Sequence, residues 1–131
     1  MLKFFSTYKS IFYLINTFLI ILYLYPGSIL GQIIYDNKSI QPQLTPDFII
    51  SSNHFYVFTL VSIIGFFTYA NSKNFFFLIL YLIFLSVTLE FFHLAIPERS
   101  FQWSDLFGNL LGVIVVIFFN NFINKHGRFK K

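Results

Sequence analysis

Glu90-Phe-Phe-His93-Leu-Ala-Ile-Pro97-Glu-Arg99-Ser-Phe-Gln-Trp-Ser-Asp105-Leu-Phe-Gly108-Asn109-Leu-Leu-Gly112 is a polar interruption between two long apolar runs. The chain around it is 56% hydrophobic and 11% charged over 131 residues, against about 25% charged in an ordinary soluble domain. With 21 Phe and 8 Tyr, it carries more apolar surface than a water-soluble fold of this length can bury, so its expected solvent is lipid. Ionisable side chains beside hydrocarbon are costly and call for a function or a partner.

The length suits one domain. The absence of cysteine excludes disulfides and thiolate metal sites. A net charge of +4 raises the question of nucleic acid, but the basic residues gather at the chain ends, which suits membrane orientation and not a binding stripe. No nucleic-acid partner is expected.

Working outward, the hydrophobic pattern predicts an all-α fold of four transmembrane helices in a single domain, 1–131, with spans at about 9–26, 48–70, 75–96 and 104–123. The first span follows Lys3 and Lys9 and closes at Tyr25-Pro26-Gly27. It also resembles a signal peptide, but Pro26-Gly27-Ser28 is a poor cleavage site, so a retained helix is expected. Residues 27–52 form the one long connection, broken by Gly31, Pro42 and Pro46. Within it Ile29–Tyr35 is too short to span and is expected to lie in the interface. Thr45-Pro46-Asp47 has the look of a helix start, with Thr as N-cap and Pro at the first helical position.

On the second span Ser51, His54, Phe58, Ser62 and Gly65 share one face at three- and four-residue spacing, a face expected to turn toward other helices. Asn71-Ser72-Lys73-Asn74 is a tight turn that makes spans two and three antiparallel neighbours. Pro97 is expected to end the third span, and Ser104-Asp105 to start the fourth. Asn124–Lys131 is expected to be a basic tail that sets topology and touches anionic headgroups.

With four spans, Lys3, Lys9, Lys73, Lys125, Arg128, Lys130 and Lys131 fall on one side, seven of the nine basic residues. All five acidic residues fall on the other, with Lys38 and Arg99. The positive-inside rule then predicts both termini in the cytoplasm and the 90–112 stretch at the outer face. Glu90 and His93 are three apart on one helix face, and Asp105 and Asn109 four apart on the next. Gly108 and Gly112 form a small-xxx-small pair suited to close helix packing. Asn53 and His54 reach the same depth from the second span. Trp103, Tyr25, Tyr35 and Tyr56 suit interfacial anchoring.

The ordered set Asn53-His54-Phe55, Glu90-x-x-His93, Arg99, Asp105, Asn109 and Gly112 resembles the VanZ-like family of small bacterial membrane proteins. The likeness runs over roughly residues 48–116, with the four-span layout covering the whole chain. His93 stands where that family usually has glutamine, and Ile50-Ser51 where it often has Asp-Lys. The resemblance implies a multi-pass protein of the bacterial inner membrane in a family linked to glycopeptide-antibiotic resistance. It implies membrane lipids, and a lipid-linked or cell-wall precursor, as partners. It supplies no reaction.

Three functions follow as expectations. The first is a non-catalytic envelope factor binding a lipid headgroup or wall precursor through Arg99, Asp105 and Glu90, since a guanidinium fork suits phosphate and carboxylate. The second is a membrane-embedded enzyme with Glu90 or His54 as acid–base. The third is a structural protein whose polar cluster, Asn53, His54, Glu90, His93, Arg99, Asp105 and Asn109, only locks the helices together. For Arg99 and Asp105 that last case is a salt bridge pinning the hairpin. His54, Glu90, His93 and Asp105 have the chemistry of zinc or iron ligands, but no metal and no cofactor are expected. No Gly-rich phosphate loop, nucleophile elbow or HExxH motif is present.

Overall fold

The computed structural model describes residues 2–127, with side chains from Tyr8 onward. Lys3 and Arg128–Lys131, which enter the expected charge asymmetry, lie outside the described side chains. Among the described residues the fold is all-α, with five helices: α1 Leu2–Leu24, α2 Ile29–Tyr35, α3 Ser52–Tyr69, α4 Phe75–Phe92 and α5 Trp103–Gly127. No strand occurs among them.

The packing is a bundle of α1, α3, α4 and α5. The core is a seam of Phe12 and Leu19 from α1, Phe58 and Val61 from α3, Leu82 and Leu89 from α4, and Val113 from α5. Antiparallel order of α1 and α3 follows from Tyr13 meeting Tyr69 while Tyr23 meets His54. The α3 face of Ser51, Phe58, Ser62 and Gly65 is buried, and His54 is partly so.

The exterior is apolar. Only 33% of the hydrophobic window of α4, and of α5, is buried, so the rest of each window is half-buried or exposed, and Phe67, Phe76, Phe84 and Phe118 are all exposed. Water would not tolerate so large an apolar surface on a monomer; hydrocarbon would. By length and apolarity α4 and α5 can each cross a membrane, and α1 with α2, bent by 82°, supplies a third crossing if the pair counts as one. Helices of this kind suggest a membrane protein.

Several boundaries differ from expectation. The α3 helix begins at Ser52 and not at Pro46. Asp47 does serve it as a cap, but from five residues upstream: its Oδ1 accepts the Ser52 N–H at 2.8 Å. Residues 45–51 are thereby held outside the helix, with Phe48 92% and Ile49 77% exposed. The α4 helix stops at Phe92, short of Pro97. The N–H groups of His93, Leu94 and Ala95 bond to carbonyls three residues back, a tightened last turn. Proline offers no N–H to an α-turn and disfavours the helical conformation in the residue before it. At the far end α5 runs on through Lys125 and His126 to Gly127, so the first half of the expected tail is helical. Basic residues in a last turn complement the helix dipole.

The connection folds back over one end of the bundle. Ser28 caps α2, accepting the Gly31 N–H at 2.9 Å, and its own N–H reaches Lys38 O at 2.8 Å. The α2 helix turns 82° away from α1, with Ile33 and Ile34 exposed.

Candidate functional site

The polar residues converge where α1 and α4 end and α3 and α5 begin. The close pairing of α3 with α5 sets the geometry. A Cβ on Gly108 would stand 2.7 Å from Ser51 O, and one on Gly112 would stand 2.7 Å from Phe55 O. Only glycine lets the two backbones approach this closely. The approach brings Ser51 N–H to Ser104 O at 3.1 Å and puts His54 beside Asn109.

Asn109 is fully buried and is the hub. Its Nδ2 donates to Ser86 O on α4 at 3.0 Å, and its Oδ1 accepts the Tyr23 hydroxyl from α1 at 2.7 Å. His54 Nδ1 lies 3.0 Å from both Asn109 Oδ1 and Tyr23 Oη. One asparagine side chain thus links four helices, and Tyr23 stacks on His93 with ring centroids 5.7 Å apart.

Glu90 is 0% exposed. Its Oε1 accepts the backbone N–H of Gln102 at 3.0 Å, tying the end of α4 to the residue preceding α5. Its Oε2 lies 3.2 Å from His93 Nδ1 and 3.9 Å from His54 Nδ1, yet neither approach is an aligned hydrogen bond. His93 donates Nε2–H to Tyr23 O at 3.1 Å. His54 Nε2 lies 3.5 Å from Asp105 Oδ2.

Two candidates sit differently from the proposed polar cluster. Arg99 makes no ion pair with Glu90 or Asp105 among the described residues. Its Nε and one terminal nitrogen donate to Tyr25 O at 3.2 Å and Leu22 O at 2.7 Å, so it caps the carbonyl end of α1. The salt bridge at this hairpin is instead Lys38 to Glu98 at 2.8 Å, and that pairing holds the Lys38 ammonium above its usual pKa. Asn53 fastens the connection: it accepts Leu44 N–H at 3.1 Å and donates to Pro42 O at 2.6 Å.

Tyr23, Ser86 and Gln102 belong to the site and escape a motif-based reading. Ser86 and Gln102 contribute only backbone groups. Tyr23 had a usable signal, since Phe12, Leu19 and Tyr23 recur at helical spacing as one buried stripe of α1.

Two adjoining cavities open at this end. One, of about 370 Å³, is polar and is walled by Ser51, His54, Arg99, Gln102 and Asp105, with Asp47, Lys38 and Glu98 at its margin. The other, of about 310 Å³, is largely apolar and is walled by Leu22, Ile29, Ile34, Leu44 and Val57. His54, His93, Arg99 and Asn53 are common to both walls. Glu90 lines neither. Trp103, Tyr25, Tyr35 and Tyr56 are exposed around the same end, and Tyr56 also bonds Thr45 at 2.9 Å. Against protein families, curated proteins and solved structures, the chain finds no match.

Proposed function

We propose that this chain is a VanZ-like protein of the bacterial cytoplasmic membrane, crossing it four times through α1, α3, α4 and α5 with both termini inside. Its outer-side chamber binds the headgroup of an envelope lipid or lipid-linked wall precursor. The observation that carries this reading is the pair of cavities meeting at His54 and Arg99: a polar chamber joined to an apolar slot suits a molecule with a polar head and a hydrocarbon chain. Arg99 has five N–H donors and gives two to carbonyls, which leaves donors for a phosphate. Asp47, Glu98 and Asp105 outnumber Lys38 and Arg99 around the chamber. A headgroup that offers hydroxyl or amine donors beside its phosphate therefore fits better than a bare anion. Glu90, being buried behind the chamber, serves the site's shape and not the headgroup directly.

The test is lipid retention. Protein purified with limited delipidation is expected to carry a phosphate-bearing envelope lipid by mass spectrometry. Arg99→Lys keeps the charge and loses the fork, and retention should fall about tenfold with helicity unchanged. Equal retention would refute headgroup recognition by Arg99; loss of the helical fold would make Arg99 a structural clamp only. A second, catalytic reading rests on His54 facing Asp105 across 3.5 Å in the chamber wall. Conversion of the retained lipid by wild type, absent in His54→Gln, would establish it.

Orientation is tested separately. The chain has no cysteine, so Ser100→Cys places a single thiol in the exposed α4–α5 hairpin. Labelling of intact spheroplasts by a membrane-impermeant maleimide is expected. Labelling only after permeabilisation would invert the topology.

A further inference from the structure

The hydrogen-bond partners of the two histidines fix where their protons sit. Tyr23 O is a carbonyl and only accepts, so His93 Nε2 carries a hydrogen and Nδ1 of a neutral ring presents a lone pair, 3.2 Å from Glu90 Oε2. Asn109 Oδ1 likewise only accepts, and the Tyr23 hydroxyl hydrogen is already directed at it. His54 Nδ1 therefore carries the hydrogen, and Nε2 presents a lone pair 3.5 Å from Asp105 Oδ2. In both places an electron pair faces a carboxylate oxygen with nothing positive between them. Glu90 Oε2 is fully buried and has no aligned donor, an expensive arrangement for a carboxylate.

The geometry points to a divalent transition-metal site formed by His54, Glu90 and Asp105, with His93 beside Glu90 as the adjoining fourth donor. One donor atom from each of His54, Glu90 and Asp105 lies within 4.8 Å of the others. In a tetrahedral site with bonds of about 2.0–2.1 Å, neighbouring donors stand about 3.3 Å apart. The His54–Asp105 separation of 3.5 Å and the His93–Glu90 separation of 3.2 Å are already of that size. Each imidazole gives its other N–H to a fixed oxygen, the arrangement that orients metal-binding histidines and raises their basicity. Imidazole and carboxylate together suit Zn²⁺, Fe²⁺ or Mn²⁺. The polar cavity reaches His54, His93 and Asp105, which gives an ion its entry path. A bound cation would offset the carboxylate excess around the chamber. The site rests on the cluster alone; failure of lipid retention with metal uptake intact leaves it standing.

The experiment uses full-length protein carrying a histidine-free tag, stripped with chelator, in detergent. Zn²⁺ uptake is read by equilibrium dialysis with elemental analysis, and Co²⁺ loading by its visible absorption. Wild type is expected to take up one Zn²⁺ per chain, competed by Co²⁺. Asp105→Asn and Glu90→Gln preserve shape and should weaken uptake at least about 100-fold. His126→Ala, on the exposed end of α5 and far from the cluster, should bind as wild type does. If stripped wild type takes up no stoichiometric Zn²⁺, or if Asp105→Asn and Glu90→Gln both retain it, the facing lone pairs are bridged by protons and the metal site is refuted.

Discussion

Gly112→Val is expected to pry α5 away from α3 and to destabilise the protein by about 3 kcal/mol, the upper part of the range for overpacking. A Cβ at this position would meet Phe55 O at 2.7 Å, Thr59 N at 2.9 Å and Phe58 Cβ at 3.0 Å. Two of these three are backbone atoms of a helix, which cannot rotate away as a side-chain tip can. The helix must move bodily, and the His54–Asn109 contact and the Ser51–Ser104 bond lie about one and two turns along the same crossing. The milder Gly112→Ala gains about 1 kcal/mol in helix propensity and is still expected to lose more through the clash. Gly127→Ala, with nothing within 4 Å of its Cβ, is the matched control and should be neutral or slightly stabilising. Thermal unfolding in detergent, followed by circular dichroism, checks all three. A Gly112→Val protein as stable as wild type would show that α3 and α5 need no such approach.

The long apolar runs and the turn at 71–74 place α4 and α5 from sequence alone, because a membrane-length apolar helix has a strong and simple signature, whereas α1 begins at Leu2, ahead of the span expected at about 9–26. Helix ends were less legible. Thr45-Pro46-Asp47 carries every local mark of an N-terminus, yet the carboxylate of Asp47 caps Ser52 across five residues. Local capping statistics do not register a cap delivered by a folded loop. Pro97 marks where a helix cannot continue, and the chain leaves the α-conformation a turn earlier. Apolar Phe48 and Ile49 look like the start of a span and instead project from the connection.

The site was partly legible for a similar reason. Spacing puts Glu90 with His93, and Asp105 with Asn109, on common faces, and Gly108 and Gly112 lie where α5 meets α3. Spacing carries no information about which carbonyl a side chain will find. Arg99 is drawn to the exposed carbonyls at the end of α1, and Asn53 to the backbone of 42–44. Unpaired backbone acceptors at helix ends and loops compete with side-chain anions for every donor nearby. Tyr23 closes the network from the first helix, 86 residues from its partner Asn109, and no local motif spans that distance.

Substitutions at Glu90 separate packing from charge, and their order of stability should depend on metal. In chelator Glu90→Gln is expected to be at least as stable as wild type. The amide oxygen can still accept the Gln102 N–H, and the amide nitrogen would point a hydrogen at the His93 Nδ1 lone pair, 3.2 Å from where Oε2 now sits. Glu90→Ala removes both. It deprives the part-buried Gln102 N–H of its partner, at the low end of about 1–3 kcal/mol, and leaves a void at a fully buried side chain that adds to the loss. Relative to Glu90→Gln the alanine variant should therefore be less stable by about 2–4 kcal/mol, a large share of a marginal protein's stability. Excess Zn²⁺ should raise the melting temperature of wild type and leave Glu90→Gln where it was, because an ion stabilises only the state that binds it. The two curves, with glutamine level or ahead in chelator and wild type ahead in zinc, are the expected result. Should glutamine instead be as damaging as alanine in chelator, the carboxylate would be essential to the helix packing itself, and Oε2 would have a partner in the metal-free protein.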